Sequence, residues 1–249
     1  MTTTDDHVYA RDLAEEAGRR LIKLRAGGGD PKELQKTGDR TSHEFLVKEL
    51  AAQRPDDMVL SEEAAADPAR LTADRVWIVD PLDGTREFGE IPRTDWAVHV
   101  ALWERGAGLI AGAVALPALG TVLSTANPPA GPPADAPATA SRVVVSRTRP
   151  PQFVMDMGLE LMPMGSAGAK VSAVLRGEAD AYIHGGGFYE WDTAAPVAVA
   201  LAAGYHCSRI DGAELAYNQD DLLLPDILVC RPALAGALLE AIREVTHAT

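Results

Sequence analysis

Two aspartates follow an apolar stretch in the segment DPLDGT, residues 80–85, directly after VWIV. Carboxylates at this spacing suit a hard divalent cation such as Mg²⁺, which prefers oxygen ligands. Asp80 and Asp83 would supply two ligands, the Leu82 carbonyl could supply a third, and Gly84 would let the backbone approach a ligand closely. Taken alone, the segment is more often a plain turn, because Pro, Asp and Gly all favour turns.

Two further acidic segments could join such a site. SEEA contains Glu62, whose ordinary role would be an exposed charge, and EWDTAAP contains Asp192, whose ordinary role would be a helix N-cap. The sequence places no basic residue where it would neutralise these acids locally. Shared cations would relieve the mutual repulsion of the whole set, which comprises Glu62, Asp80, Asp83 and Asp192.

The overall composition limits the classes of partner. The chain has 249 residues, with 36 acidic and 23 basic ones and a formal net charge of -13, which repels a phosphate backbone and predicts no nucleic-acid polymer as partner. No apolar run reaches the roughly 18 to 20 residues of a membrane span, and the N-terminus is acidic, so we expect a cytoplasmic protein with no membrane contact. Cys207 and Cys230 are too few for a disulfide framework or a thiolate zinc site, and free buried thiols are favoured over one disulfide.

The candidate residues need helices and strands to position them. Helical spacing predicts a first helix that ends at Gly27, and TSHEFLVKELAAQ predicts a second helix that begins at Thr41 with Glu44 completing a capping box. The segment QKTGDR between them is then a loop, and it would expose Asp39. Later segments predict strands (VLSEE, VWIVDPLDGT, DWAVHVALWE, GLIAGAVALP, TVLSTA, RVVVS, DAYIHG, DILVC) and helices (GSAGAKVSAVLRG, DTAAPVAVALAAGY, PALAGALLEAIREV).

The Pro- and Ala-rich segment NPPAGPPADAPAT divides this series of elements. We interpret it as an exposed loop over residues 127–139, between an N-terminal lobe of residues 1–126 and a C-terminal lobe of residues 140–249. Together the two lobes would form one compact domain of residues 1–249. Pro196, inside the Ala-rich helix, predicts a position near the first turn of that helix.

Three segments together resemble a known family. SEEA, WIVDPLDGTREF and EWDTAAPVAVALAAGY, in this order, are similar to the signatures of the lithium-sensitive, magnesium-dependent phosphatases, which include inositol monophosphatase, fructose-1,6-bisphosphatase and the 3'(2'),5'-bisphosphate nucleotidases. DGTREF resembles the nucleotidase branch, called CysQ in bacteria. The resemblance implies an α/β fold, a layered αβαβα sandwich with mixed sheets and an active site between two lobes. The DxDGT motif of phosphatases with an aspartyl nucleophile does not fit, because the acids here are three residues apart.

The resemblance also implies a role for each site residue. It makes Glu62, Asp80, the Leu82 carbonyl, Asp83 and Asp192 the ligands of two or three Mg²⁺ ions. Asp39 and Thr85 would orient and deprotonate a metal-bound water, although the loop QKTGDRTS is shorter than the family's SPVTxAD.

The substrate would lie beside the same metals. Ser166 and Lys170 of GSAGAK match the family's SxxxK segment and are expected to bind substrate, together with the backbone at Gly84. His184 stands at a strand end where the nucleotidases often have an arginine, and we expect it to face the substrate. An imidazole cannot form the bidentate clamp that a guanidinium forms on a phosphate.

The function implied is hydrolysis of the 3'-phosphate of adenosine 3',5'-bisphosphate to AMP and phosphate, without a covalent intermediate, in sulfur assimilation. A broad inositol or fructose phosphatase is the alternative within the family, and a catalytically silent metal- or nucleotide-binding module is the alternative of another class. The expected partner is a small phosphorylated substrate, and a homodimer is left open. Inhibition by Li⁺ is also implied.

Overall fold

Seven α-helices occupy the described part of the chain, residues 4–133 and 139–247 of a computed structural model. They are α1 (Thr4–Ala26), α2 (Pro31–Gln53), α3 (Thr85–Gly89), α4 (Gln152–Met155), α5 (Ala167–Leu175), α6 (Glu190–Ala202) and α7 (Pro232–His247). Two short 3-10 helices, Pro68–Thr72 and Pro117–Leu119, lie in connections. None of these helices is both long enough and apolar enough to cross a membrane.

Twelve strands form two five-stranded mixed sheets and one antiparallel pair, β9 with β11, in the same described residues. The strands are β1 (Met58–Ser61), β2 (Arg75–Asp83), β3 (Ala97–Glu104), β4 (Gly108–Leu116), β5 (Thr121–Ser124), β6 (Arg142–Ser146), β7 (Glu160–Met164), β8 (Ala181–His184), β9 (Phe188–Tyr189), β10 (His206–Ser208), β11 (Leu223–Leu224) and β12 (Ile227–Cys230). The first sheet has the order β1-β2-β3-β4-β5, and the second has the order β10-β12-β8-β6-β7. β1 is parallel to β2, and β6 is parallel to both β7 and β8, while the other neighbours are antiparallel.

Alternating side chains of β2 show how the layers are built. Trp77 and Val79 pack against α1 and α2, whereas Val76 and Ile78 face the opposite side of the sheet, toward α5 and α6. The far face of the second sheet packs against α7, where Leu234 and its neighbours on that helix are buried. Burial of each such large apolar side chain contributes about 1.5–3 kcal/mol. The predicted αβαβα order of layers is confirmed.

Helix α6 lies between the two sheets, which explains its composition. Its residues from Thr193 to Ala200 are all buried, as is expected of a helix that is apolar on every side. Pro196 is the seventh residue of the helix, so the expectation of a first-turn position was wrong. Because proline has no N–H, it cannot donate to the carbonyl of Asp192 four residues earlier, and that carbonyl is released near the start of α6.

Helix α2 begins ten residues earlier than the sequence predicted. Asp30 caps it by accepting hydrogen bonds from the N–H groups of Lys32 and Glu33, at 3.0 and 3.1 Å, and Pro31 follows at the first helical position. The prediction of a loop around Asp39 and of a capping box from Thr41 was therefore wrong.

Packing against α3 and β2 explains why a glycine is found inside α2. A Cβ built on Gly38 would lie 2.7 Å from a ring atom of Phe88 and 2.9 Å from a methyl group of Leu82. Glycine usually weakens a helix interior by about 1 kcal/mol relative to alanine, but here it lets the helix approach the end of β2. Asp39, the next residue, is thereby brought close to the end of β2.

The remaining predictions about the chain's organisation have mixed outcomes. Residues 134–138 of the Pro-rich segment lie outside the described residues, and residues 127–133 form neither helix nor strand apart from one bridge from Asn127 to Ser124. Cys207 packs with the core between the sheets and Cys230 with the core under α7, so the two free thiols lie on opposite faces of the second sheet. Free thiols were predicted, and this is confirmed.

Candidate active site

The two aspartates of β2 lie where the pairing with β3 becomes irregular. Asp80 is opposite His99, Asp83 is opposite Ala97, and the register shifts between the two pairs. Asp80 Oδ1 accepts a hydrogen bond from the N–H of Leu82 at 2.9 Å, which holds the carboxylate over the turn. Both aspartates are buried, and buried carboxylates require compensating partners.

Three acids of this cluster have raised pKa values. Burial, followed by the charges of Glu62, Asp83 and Asp192, raises the pKa of Asp80 well above its ordinary value. Burial and neighbouring acids raise the pKa of Asp192 to about 7. Burial of its carboxyl group and neighbouring acids also raise the pKa of Glu62 to about 7. The residue as a whole is exposed, and its carboxyl end is the part that lies among the other acids. The sequence segments are thus brought together into one repelling group.

Asp83 differs from the other members because cationic and N–H partners surround it. Burial by itself would raise its pKa, but His99, Lys170 and the N–H of Gly168 outweigh burial and lower the pKa. Gly168 donates to Asp83 Oδ2 at 2.7 Å. No local neutralisation was predicted from the sequence, yet the fold brings Lys170 close from α5.

His99 was not predicted from the sequence, although it belongs to the cluster. It is fully buried on β3, and its Nε2 lies 3.1 Å from Asp83 Oδ2, at ion-pair distance but without hydrogen-bond geometry. Its Nδ1 lies 3.2 Å from the carbonyl oxygen of Trp191. Since both ring nitrogens face oxygen acceptors, His99 is placed to support Asp83. The signal was a single histidine inside the apolar run WAVHVALW.

The fold brings Asp39 and Thr85 into contact from two helices. Thr85 Oγ1 lies 3.1 Å from Asp39 Oδ1 and 3.0 Å from the carbonyl oxygen of Leu82. Burial and the charge of Glu63 raise the pKa of Asp39 to about 6, while the hydrogen bond from Thr85 acts in the opposite direction. The half-buried carboxylate therefore has a pKa close to neutrality.

Gly84 forms the turn between β2 and α3 with φ 84° and ψ 42°, a left-handed conformation that favours glycine. A Cβ on Gly84 would lie 3.1 Å from the Cβ of Ser166 and 3.2 Å from the Asp95 carbonyl oxygen. Ser166 itself is buried and caps α5 by accepting from the N–H of Ala169 at 2.8 Å. The hydroxyl of Ser166 thus already has a structural partner.

A cavity of about 180 Å³ adjoins the acidic cluster, and two of the four predicted substrate residues, Lys170 and His184, line it, whereas Gly84 does not. Its lining includes Asp83, Asp192, Lys170 and His184, but not Ser166. Lys170 is buried, and its ammonium donates to the carbonyl oxygen of Gly165. The rest of the lining comprises Arg86, Glu87, Ser146, Arg147, Thr148, Arg149, Gly165, Ala167, Tyr182 and Phe188.

Arg25 at the end of α1 supports the turn that carries Thr85, and the sequence did not reveal it. Its guanidinium donates to the carbonyl oxygens of Phe88 at 2.8 Å and Arg93 at 2.7 Å, and it also donates to those of Glu87 and Glu90. These carbonyls belong to α3 and the segment after it. Arg25 therefore holds the C-terminal end of the helix whose first residue is Thr85.

The acidic cluster fits a divalent metal. Among the described residues, Asp80, Asp83 and His99 offer ligand atoms within 4.8 Å of one another. Asp80 Oδ2 is buried without a hydrogen-bond partner in the same part of the chain, a situation that a cation would relieve. Carboxylate oxygens dominate the surroundings, which is the donor set that hard cations prefer.

Comparisons with known proteins agree with this fold and site. A profile of the inositol monophosphatase family matches residues 8–131 and 133–247. The 3'-phosphoadenosine 5'-phosphate phosphatase of Mycobacterium leprae (strain TN) is 48% identical over 255 residues, which cover 96% of this chain and 94% of the relative. The 3'(2'),5'-bisphosphate nucleotidase CysQ of Escherichia coli (strain K12) is 31% identical over 239 residues, which cover 85% and 94%.

Two solved structures show the same architecture. Inositol monophosphatase II from Staphylococcus aureus MSSA476 has a TM-score of 0.85 at 21% identity and covers 98% of each chain. CysQ from Bacteroides thetaiotaomicron has a TM-score of 0.76 at 28% identity, covering 92% of this chain and 98% of that one. The chain therefore belongs to the inositol monophosphatase family, whose members are metal-dependent phosphatases. The family resemblance and the phosphatase class predicted from the sequence are confirmed.

Proposed function

We propose that the protein hydrolyses the 3'-phosphate of adenosine 3',5'-bisphosphate to AMP and phosphate. The oxygen of a water forms a bond to phosphorus, the bond from phosphorus to the 3'-oxygen breaks, and the 3'-oxygen takes a proton from solvent, to which the proton lost by the attacking water is finally returned. The observation that carries the proposal is the Asp39–Thr85 contact beside the acidic cluster, two of whose members, Asp83 and Asp192, line a cavity that four cationic side chains also border. The name and the 48% identity of the Mycobacterium leprae relative support the choice of substrate.

Mg²⁺ is the proposed cofactor, with two or three ions per site. The groups that would hold it are the carboxylates of Glu62, Asp80, Asp83 and Asp192 and the carbonyl of Leu82. Bound Mg²⁺ would supply positive charge to the phosphate and acidify the attacking water.

Asp39 and Thr85 form the proposed base. The two nearest neighbours of Thr85 Oγ1, Asp39 Oδ1 and the Leu82 carbonyl oxygen, are both acceptors, so the hydroxyl hydrogen points to one of them. The lone pairs of the hydroxyl oxygen then remain available to a water. As the water loses a proton to Thr85, Thr85 passes its own hydrogen to Asp39, whose pKa of about 6 suits a base that works near neutrality.

Lys170 and the backbone around Gly84 are the proposed contacts of the reacting phosphate. Lys170 lines the cavity beside Asp83 and carries a charge that attracts the phosphate oxygens. We retain Ser166 as a substrate residue through its position at the start of α5, where free N–H groups favour an anion, rather than through its hydroxyl. His184 would face the rest of the substrate.

A phosphate-release assay with purified protein and Mg²⁺ tests the proposal. The substrates are adenosine 3',5'-bisphosphate, inositol 1-phosphate and fructose 1,6-bisphosphate. We expect the nucleotide to give the highest kcat/KM, and a preference for either sugar phosphate would replace this substrate with the alternative within the family. Absence of phosphate release from all three, with retained Mg²⁺ binding, would favour a catalytically silent binding module. The cytoplasmic location, the homodimer and inhibition by Li⁺ stay predictions.

A further inference from the structure

Four cations border the cavity of an otherwise acidic protein. Arg86 lies in the first turn of α3, Arg147 and Arg149 follow β6, and Lys170 lies on α5. The whole chain carries a net charge of -13, so a concentration of cations in one cavity is not a consequence of average composition. These four charges differ in whether the protein already supplies them with partners.

Two of the four cations are engaged by the protein itself. Arg147 donates from Nε to Glu87 Oε1 at 2.9 Å, and its Nη2 lies 3.0 Å from Glu90 Oε2. Lys170 is buried, donates to the carbonyl oxygen of Gly165 and lies among the acidic residues. Arg147 is thus paired with acids of the protein, and Lys170 belongs to the acidic end of the cavity, where the reacting phosphate is proposed to lie.

The other two cations have donors to spare. Within residues 4–133 and 139–247, the guanidinium of Arg86 has no hydrogen bond or ion pair, and that of Arg149 makes only one long contact, 3.5 Å from Nη2 to the carbonyl oxygen of Gly187. Both side chains are exposed at the cavity, so a ligand can reach them. A guanidinium binds a phosphate through two parallel N–H donors, which is the strongest recognition of that group by a side chain.

His184 is a titratable neighbour of Arg149 in the cavity lining. It is buried, lines the cavity, and its Nδ1 has no partner with hydrogen-bond geometry in the described chain. Burial, Lys170 and Arg149 lower its pKa to about 4. The imidazole is therefore neutral near pH 7, and it leaves the positive charge of Arg149 for a ligand.

We propose that Arg86 and Arg149 form a subsite for a second phosphate monoester, the one that is not hydrolysed. The inference rests on the proposed function, because it assigns the 5'-phosphate of adenosine 3',5'-bisphosphate to these two side chains. The reacting phosphate would lie at the acidic end of the same cavity, beside Asp83 and Asp192. The two arginines would make the enzyme prefer bisphosphates to monophosphates.

Kinetics with two substrates test this assignment. Adenosine 3'-monophosphate lacks only the 5'-phosphate of the bisphosphate, so its kcat/KM depends on every part of the site except the proposed subsite. We expect Arg86→Ala and Arg149→Ala each to lower kcat/KM for the bisphosphate about tenfold, mainly through KM, and to lower it for the monophosphate by a much smaller factor. Arg243→Ala, which removes an exposed charge on α7, is the matched control and should change neither value. Equal losses with both substrates would overturn the subsite.

Binding without catalysis separates this inference from the proposed function. In EDTA, where the acidic cluster holds no metal, AMP titrated into the wild-type protein should bind about tenfold more tightly than into Arg149→Ala, and adenosine should bind both equally. This result would support the subsite even if the protein failed to hydrolyse the bisphosphate. That failure would refute only the proposed function. If AMP binds the wild-type protein and Arg149→Ala equally, or binds neither, the subsite is wrong whatever the protein hydrolyses.

Discussion

Asp83 Oδ2 accepts a hydrogen bond of 2.7 Å from the backbone N–H of Gly168. The carboxylate ends β2 of the first sheet, whereas the N–H belongs to the first turn of α5 in the layer between the sheets. A proposed metal ligand is thereby tied to the helix that carries Lys170. A Cβ on Gly168 would lie 2.1 Å from His99 Nε2, so only glycine permits this approach.

Asp83→Asn should abolish turnover while leaving the fold intact. The amide oxygen can still accept from Gly168, but one negative charge is lost from the group proposed to hold the cations. Loss of repulsion from Asp80 and Asp192 is offset by loss of attraction to His99, so Tm in EDTA should change little. The measurements are kcat and the rise in Tm on adding Mg²⁺, which should shrink. Asp220→Asn, an exposed acid outside the cluster, is the control. An active Asp83→Asn protein would refute the metal assignment.

Asp39→Asn, Thr85→Ala and the double variant should lower kcat by similar factors, on the order of 10²-fold or more. The two side chains are proposed to act as one unit, and removal of either breaks the same proton path. KM and Mg²⁺ affinity should change much less. Thr85→Ser keeps the hydroxyl and should retain most of kcat. Additive losses in the double variant would show that the water is activated by another group.

The pH dependence of kcat should report the ionisation of Asp39. The base is active when ionised, so kcat should rise with pH through the pKa of about 6 and level off above it. Bound cations favour the ionised form and can move this limb only to lower pH. Thr85→Ala breaks the same proton path, so the limb should be absent from its residual activity. A limb that persists unchanged in Asp39→Asn would assign it to another residue.

Without metal, the free energy of unfolding should fall as the pH rises from 6.5 to 8. Glu62 and Asp192 have folded-state pKa values of about 7, above those of unfolded chains, so their stabilising contribution is present at low pH and is lost through pH 7. His184, with a pKa of about 4, acts in the opposite direction but only below pH 6.5. Urea unfolding in EDTA checks the trend, and Mg²⁺ should stabilise more at pH 8 than at pH 6.5. Stability that rises over this range would contradict the clustering of the acids.

Gly38→Ala should lower both activity and stability, although alanine favours helices by about 1 kcal/mol. The new methyl group would meet the buried side chains of Phe88 and Leu82 at under 3 Å, and such overpacking costs about 1–3 kcal/mol. The helix would shift, and Asp39 would separate from Thr85. The matched control is Gly236→Ala on α7, where a Cβ meets no atom within 4 Å and stability should rise. Urea unfolding and kcat of both variants give the comparison.

The sequence by itself determined the chemistry that this protein can perform. The acids at positions 62, 80, 83 and 192 and the turn at Gly84 are local features, because a strand end followed by Asp-Pro-Leu-Asp-Gly needs little else to form. The period of the apolar residues likewise predicted most helices and strands, since burial of one face depends on local spacing.

The tertiary structure determined which side chains from distant segments become neighbours. The local signal of Asp30 and Pro31, which begin α2, was missed in favour of the one at Thr41, but only the tertiary structure shows that Gly38 lets this helix pack closely against Phe88 and Leu82. His99 had only a weak local signal, a single histidine in an apolar run, and the spare guanidinium donors of Arg86 and Arg149 in the described residues had none, because these roles depend on partners distant in sequence. A buried charge is stabilised by whichever groups the fold brings near it, and one chain segment alone does not specify those groups.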